Sequence, residues 1–363
     1  MSELFQPITF ASGLTLKNRL VVAPMTTYSS QPNGVISPDE LPYIRRRAEA
    51  GYGSFITSAC CVHPSGWAFQ GQWQCSSDEI LDSLASVADA IHAGGSKAIL
   101  QIHHGGRQCP PELVNGTSVS ASAIANARPN SAVPRALEED EILEIIEAFA
   151  QATIRAKQTG YDGVQIHGAN TYLLQQFVSP HSNRREDSWG QDRLKFPLAV
   201  TDAVLNAVPG YSVGYRFSPE EPETPGIRIT DTIALVNALC ERPLDNLDIS
   251  LRDFRQPSLH DSFEGSTLSK ILEVINDRLP LIAVGSVKSR EDAEAVLSTG
   301  AGLVAVARVA ISEPEWPQKI QSGETIRTKV VAKNMREVLT LPNGLATKIE
   351  QVPGWFEVEE SED

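Results

Sequence analysis

The sequence predicts a parallel (β/α)8 barrel of the TIM type, on three observations. Short apolar runs alternate with helix-period segments along about 300 residues. The junctions repeat: a helical segment ends in glycine, a small turn follows and an apolar strand begins, as at Ala50-Gly51-Tyr52-Gly53, Thr159-Gly160-Tyr161-Asp162-Gly163 and Thr299-Gly300-Ala301-Gly302. Eight apolar runs can be counted, the number that closes such a barrel. A doubly wound open sheet is the runner-up.

The elements follow in order. Residues 4–17 read as a hairpin, with Ile8-Thr9-Phe10 and Leu14-Thr15-Leu16 on either side of Ser12-Gly13. The strands are expected at Leu20–Ala23, Phe55–Ala59, Ala98–Ile102, Gly163–Ile166, Val213–Phe217, Asn246–Ile249, Leu281–Val284 and Leu303–Val306. Helices are expected near 39–50, 79–93, 138–158, 193–207, 230–240, 267–277, 289–298 and 314–321. Residues 105–135, rich in Pro, Ser, Asn and Ala, make a loop subdomain after the third strand; at about 30 residues it is long enough to be a cover over the barrel mouth. The barrel is expected to occupy residues 1–325. Residues 326–363 form a C-terminal extension whose acidic run, Glu357 to Asp363, is expected to be disordered.

Composition narrows the function classes. Of 363 residues, 41% are apolar and 21% charged, as in a soluble globular enzyme, and the net charge of -14 argues against nucleic acid and against an anionic membrane surface. No apolar run approaches the roughly 18 residues of a membrane span, and the N-terminus lacks the features of a signal peptide. Five cysteines, an odd number with no zinc or iron–sulfur spacing, point to free thiols and a cytoplasmic location.

A barrel carries its chemistry just after its strands, and polar residues concentrate there. The first strand exits at Pro24-Met25-Thr26-Thr27-Tyr28, the second at Ser58-Ala59-Cys60, and the third at Gln101-Ile102-His103-His104-Gly105-Gly106-Arg107. The fourth ends in His167, Asn170 and Tyr172; the fifth carries Arg216. His and Asn can both donate to one oxygen, and a phenol nearby can give up a proton. Gly285-Ser286 offers backbone N–H groups near a helix start, and Ala307-Arg308 adds a guanidinium, after the two strands where barrels often hold phosphate. The Gln101 amide, donor and acceptor at once, suits the uracil-like edge of a flavin ring. Arg216 could set a positive charge beside a ring that becomes anionic on reduction. Each residue singly also fits a structural role: a core-capping Gln101, Arg216 paired with Glu220, a salt-bridged Arg308, a buried His167. Gly300-Ala301-Gly302-Leu303-Val304-Ala305 matches a dinucleotide-binding pattern only on paper, since it opens a strand rather than a helix.

Taken together, Leu16-Lys17-Asn18-Arg19 leading to Ala23-Pro24-Met25-Thr26, Gln101 to Arg107, Asp162 to Asn170 with Tyr172, Leu173 to Pro180, and Val306-Ala307-Arg308 resemble the old yellow enzyme family of FMN-dependent ene-reductases, over about residues 3–325. The resemblance implies non-covalent FMN and NAD(P)H as hydride donor. Pro24, Met25, Thr26, Ala59, Gln101 and Arg216 would line the flavin ring and ribityl chain, and Gly285, Ser286, Ala307 and Arg308 would hold its phosphate. His167 and Asn170 would bind the carbonyl oxygen of an activated alkene, Tyr172 would donate the proton and Tyr28 would sit near the substrate, an activated alkene or a quinone. Dimers are common in the family. Ala307 replaces a usual Gly, and the extension has no match in the compact relatives. The rival reading is a non-flavin lyase or isomerase acting on a sugar phosphate, which would leave Gln101 and Arg216 idle; a non-catalytic flavin binder is a third.

Overall fold

The structure, a computed structural model, describes residues 2–128 and 131–359. Eight strands form the barrel: β1 Leu20–Val22, β2 Ser54–Ile56, β3 Lys97–His103, β4 Gly163–Gly168, β5 Ser212–Phe217, β6 Asn246–Ser250, β7 Leu281–Val284 and β8 Leu303–Val306. Each pairs in parallel with the next, and β8 returns to β1 with Val304 opposite Leu20 and Val306 opposite Val22. The sheet is therefore closed, and the open-sheet alternative is excluded. The longer helices between strands are α1 Glu40–Glu49, α2 Leu81–Ala93, α3 Glu139–Gln158, α4 Lys195–Ala207, α5 Ile229–Cys240, α6 Thr267–Ile275 and α7 Arg290–Ser298; short helices at Leu173–Val178 and Ser188–Gln191 precede α4. After the eighth strand an unexpected short helix, α8 Arg308–Ser312, precedes the helix expected near 314–321, α9 Trp316–Ser322.

Helix α3 shows how pattern becomes packing. Its buried Ile142, Ile145, Phe149, Ala152 and Ala156 recur every three or four residues, one apolar stripe on a 3.6-residue period. The Glu138 and Glu141 carboxylates cap its free N–H groups reciprocally. Burying each large side chain stabilises by about 1.5–3 kcal/mol, and Phe149→Ala would cost about 3–5 kcal/mol.

Strand β2 stops earlier than the expected Phe55–Ala59, for a local reason. The Thr57 hydroxyl, not a main-chain carbonyl, accepts the Gln101 N–H at 3.1 Å. The chain then steps aside and rejoins β3 with Cys60 opposite Ile102 and Cys61 opposite His103.

The barrel interior is divided. On β1, β2, β7 and β8 it is apolar: Val21, Ala23, Ile56, Ile282, Val284, Leu303 and Ala305 pack together with Phe10 and Leu16 of the N-terminal hairpin, which floors the barrel. On β3 to β6 it is polar. Gln101 Nε2 donates to Gln165 Oε1 at 2.7 Å, Gln165 Nε2 donates to Asp248 Oδ2 at 2.9 Å, and Arg216 Nε lies 3.5 Å from Asp248 Oδ1. Buried polar groups need partners; the two glutamines find them across neighbouring strands, whereas Arg216 Nε and Asp248 Oδ1 are left with an ion-pair contact and no hydrogen bond among the described residues.

The long loop carries two short strands, Val119–Ser120 and Arg135–Ala136, paired in parallel. Its Gln108 links Asn126 to the Thr171 hydroxyl beside β4, and Arg107 Nη1 donates to Ala125 O at 3.3 Å. Pro129 and Asn130 lie outside the described residues, as do residues 360–363 of the acidic run. The rest of the extension packs on the barrel: Leu339, Leu341, Leu345, Ala346, Ile349 and Phe356 are buried, and Val358–Glu359 pairs with Val330–Val331. The buried Arg47 of α1 reaches it, donating to Leu339 O at 3.1 Å. Among the described residues no helix is long and apolar enough to cross a membrane.

Candidate active site

The backbone after β4 makes an unusual turn. Asn170 and Thr171 both adopt left-handed φ, at 57° and 63°. Asn tolerates this region, whereas a β-branched Thr is strained there. Thr171 is held by its N–H donating to Gln175 Oε1 at 2.9 Å. The turn folds the chain back so that Tyr172 meets His167, with ring centroids 5.1 Å apart, and His103 of β3, at 4.2 Å edge-on.

Hydrogen bonds orient the donors. His167 Nδ1 accepts the Ala169 N–H at 3.2 Å, so Nε2 carries the ring proton. Asn170 Oδ1 accepts from Ser250 Oγ at 3.1 Å and its N–H donates to Ser218 Oγ at 2.9 Å, leaving the side-chain NH2 as the free end. Burial, with His103 and Arg216 adding to it, holds the His167 imidazolium well below its usual range, so the ring is neutral. Burial pushes the Tyr172 phenol up to about 12, so it keeps its proton at neutral pH. The lip therefore presents N–H and O–H donors without net charge.

His103 was not singled out in the sequence, yet it belongs to this cluster. Ala68 N donates to Gln72 Oε1, which turns Gln72 Nε2 toward His103 Nδ1 at 3.0 Å. The His103 Nε2–H is then buried without a partner among the described residues. The available signal was strand period: Gln101 and His103 are two apart and so share a face. The same rule relates Gln165 to His167.

The remaining expectations divide. Arg216 pairs with Asp248, not Glu220, whose carboxylate instead accepts from Ser258 Oγ and Leu259 N. Burial raises the Asp248 carboxyl above its usual range, and Arg216 and Gln165 counter it. Arg216 Nη2 also donates to Ser250 Oγ at 3.3 Å, which continues to Asn170. Gln101 has one N–H committed to Gln165, so it offers less donor capacity than an isolated amide. Ala59 is buried with its carbonyl accepting from Gln72, and Pro24 and Thr26 are half-buried where β1 opens. Met25 packs against the main core. Tyr28 has φ of 54° and its ring lies 5.4 Å from Phe69.

Gly285, Ser286, Ala307 and Arg308 come together around a cavity of about 550 Å³. Gly285 has φ of 144°, and a Cβ there would come within 2.9 Å of Phe254 N, so the position takes only glycine. The anion donors differ from the expected helix start. The Lys288 and Ser289 N–H groups ahead of α7 are taken by the Asp292 carboxylate, whereas those of Ser286, Val287 and Ala307 donate to nothing among the described residues. Arg308 is exposed and has no ion-pair partner among those residues, unlike a salt-bridged surface Arg. Free N–H groups with Arg308, Arg252 and Lys288 around one cavity fit the phosphate of a flavin mononucleotide. Gln101 and Arg216 could face its ring.

Fold and site together describe a flavin-dependent oxidoreductase on a TIM barrel. The profile of the NADH:flavin oxidoreductase / NADH oxidase family matches residues 3–326, and the chain belongs to that family, the old yellow enzyme family of the sequence resemblance. It is 43% identical to the probable NADH-dependent flavin oxidoreductase YqiG of Bacillus subtilis, over 97% of either chain. It is 41% identical to the NADH:fumarate oxidoreductase of Klebsiella pneumoniae, over 94% of this chain but 38% of that one. The old yellow enzyme homologue of Zymomonas mobilis shares the fold, with a TM-score of 0.78 at 24% identity over 90% of this chain and 94% of that one. The protein is thus an NAD(P)H-dependent flavin oxidoreductase that uses FMN.

Proposed function

We propose that the protein reduces the C=C bond of α,β-unsaturated aldehydes, ketones and similarly activated alkenes. The observation that carries this reading is the β4 lip: two N–H donors whose other ends are tied back, beside a phenol that keeps its proton. FMN, when bound, would supply the hydride that reduces the alkene, with NAD(P)H as its source. His167 Nε2–H and the Asn170 amide donate to the carbonyl oxygen, on which negative charge grows as the hydride arrives; fixed donors stabilise such a transition state most. The Tyr172 hydroxyl then gives its proton to the α-carbon. Gly285, Ser286, Ala307 and Arg308 would hold the phosphate, while Pro24, Met25, Thr26, Ala59, Gln101 and Arg216 would border the ring. Tyr28 sits on the substrate side. Fumarate, in the name of the Klebsiella relative, is itself an activated alkene and lends support from outside the geometry.

The test is an anaerobic titration of the purified yellow protein, first with NADH or NADPH and then with an enone. The flavin absorbance should bleach with the nicotinamide and return with one equivalent of enone, yielding the saturated carbonyl. Bleaching without return would remove the ene-reductase reading and leave the nicotinamide half-reaction intact.

A further inference from the structure

The phosphate cradle is not completed by the barrel. Gly354, Trp355, Phe356 and Glu357, from the end of the C-terminal extension, line the same cavity as Ser286 and Arg308. Independent contacts hold them there. Val330 N donates to Glu357 O at 2.8 Å, and the following Val358–Glu359 pairs with Val330–Val331. Lys288 Nζ lies 3.5 Å from Glu357 Oε1. Phe356 is buried in the main core, and the Trp355 ring packs edge-on against it, with centroids 5.0 Å apart at 70°. Trp355 itself is only half-buried, in a stretch where Gln351 to Gly354 are exposed. One aromatic is an anchor; the other presents an indole to the cavity.

The extension is fixed at a second point. The Gly344 N–H donates to Ser29 Oγ at 2.8 Å and the Asn343 N–H to Asp39 Oδ2 at 2.8 Å, both on the segment that follows β1. A chain tied at both ends cannot swing freely between them, so Trp355 is a placed wall.

We propose that the C-terminal extension is a wall of the flavin site, with Trp355 a cofactor-contacting residue that slows FMN release. This rests on the phosphate cradle being where FMN binds. The two means of retention differ physically. Arg308 is exposed, so its attraction for phosphate is screened by salt. Apolar contact with an indole is not, and it acts on any flavin whether or not a phosphate is present.

The experiment measures dissociation of FMN and of riboflavin from the full-length holoprotein, read as recovery of free-flavin fluorescence, at low and high salt. Trp355→Ala should speed release of both flavins about tenfold at every salt concentration, with Trp355→Phe close to the parent. Arg308→Ala should speed release of FMN alone and flatten its salt dependence. Circular dichroism of each variant reports folding. Should Trp355→Ala lose structure, Trp355→Leu keeps an apolar anchor and is put through the same two-flavin comparison. If the Trp355 variants release FMN at the parental rate while Arg308→Ala does not, the wall is overturned and the cradle stands. If neither substitution matters, the cradle fails and takes the wall with it.

Discussion

On the function proposed above, the two ends of the site would hold their ligands by opposite means. At the β4 lip the groups are close in sequence and uncharged: His167, Asn170 and Tyr172 fall within six residues, and burial keeps the imidazole neutral and the phenol protonated. At the other end the cations Arg252, Lys288 and Arg308 are exposed and follow β6, β7 and β8, so they are far apart in the chain. The difference suits what each end is proposed to bind. A carbonyl oxygen is nearly neutral in the ground state and gains charge only as hydride arrives, so neutral donors in a low-dielectric pocket favour the transition state selectively. A phosphate carries its charge permanently, and solvent screens it, so several charges and free N–H groups are needed.

Breaking the lip should give the largest effects. Tyr172→Phe removes only a hydroxyl; enone reduction should fall by roughly 10²–10⁴, the usual worth of a positioned general acid. Flavin reduction by NAD(P)H should stay within a few-fold, and quinone reduction, which needs no carbon protonation, should be spared. Stopped-flow on both half-reactions checks this; equal losses on enone and quinone would assign Tyr172 to binding. Next comes His167→Ala combined with Asn170→Ala. Two donors at about 1.4 kcal/mol each correspond to roughly 10²-fold weaker binding of a phenolic ligand, with FMN retained. A charge-transfer band titrating at unchanged affinity would place the oxygen site elsewhere.

The phosphate end should respond in its own way. Arg308→Ala removes a charge-assisted contact worth about 1.5–3 kcal/mol, so FMN affinity should drop by about 10- to 150-fold while riboflavin affinity holds. Equal losses for both flavins would mean that Arg308 touches something other than phosphate.

The pH profile sharpens the contrast further. Tyr172 must be protonated to act, and its phenol is pushed up to about 12. Enone reduction should stay level beyond pH 10 and decline only toward 12, whereas an ordinary phenol would bring the decline near 10. No limb should appear near pH 6.5, because His167 is already neutral there. A pH series on the isolated alkene step reads both limits.

The smallest effect on turnover is expected at Gly344, where an added Cβ would come within 1.9 Å of the Tyr28 carbonyl. Gly344→Ala should cost about 1–3 kcal/mol of stability by overpacking and change alkene turnover only a few-fold. Thermal unfolding beside steady-state rates shows whether stability and activity separate.

Much of this was legible in the chain itself. The eight strands, their order and the N-terminal hairpin follow from short apolar runs punctuated by glycine, and Gly51, Gly160 and Gly300 indeed take positive φ where helices give way to turns. The lip was legible because it is contiguous. His103 was missed although it sits in a conspicuous run, because its importance lies in an unpartnered N–H that only its neighbours reveal. Arg216 was given a plausible partner four residues away, and the structure supplied another from the adjacent strand.

The sequence by itself determined the element types and the chemistry offered at each strand end, since both depend on neighbours within a few residues and on side-chain period. Tertiary structure alone decided which offers meet. The pairing of Gln101 with Gln165, Gln165 with Asp248 and Asp248 with Arg216 depends on strand register around a closed barrel. The return of Trp355 to the cavity at Arg308 depends on where the extension is anchored, through the Arg47 contact to Leu339, the Gly344 contact to Ser29 and the burial of Phe356. These are contacts between residues remote in the chain, and a local pattern carries no record of them.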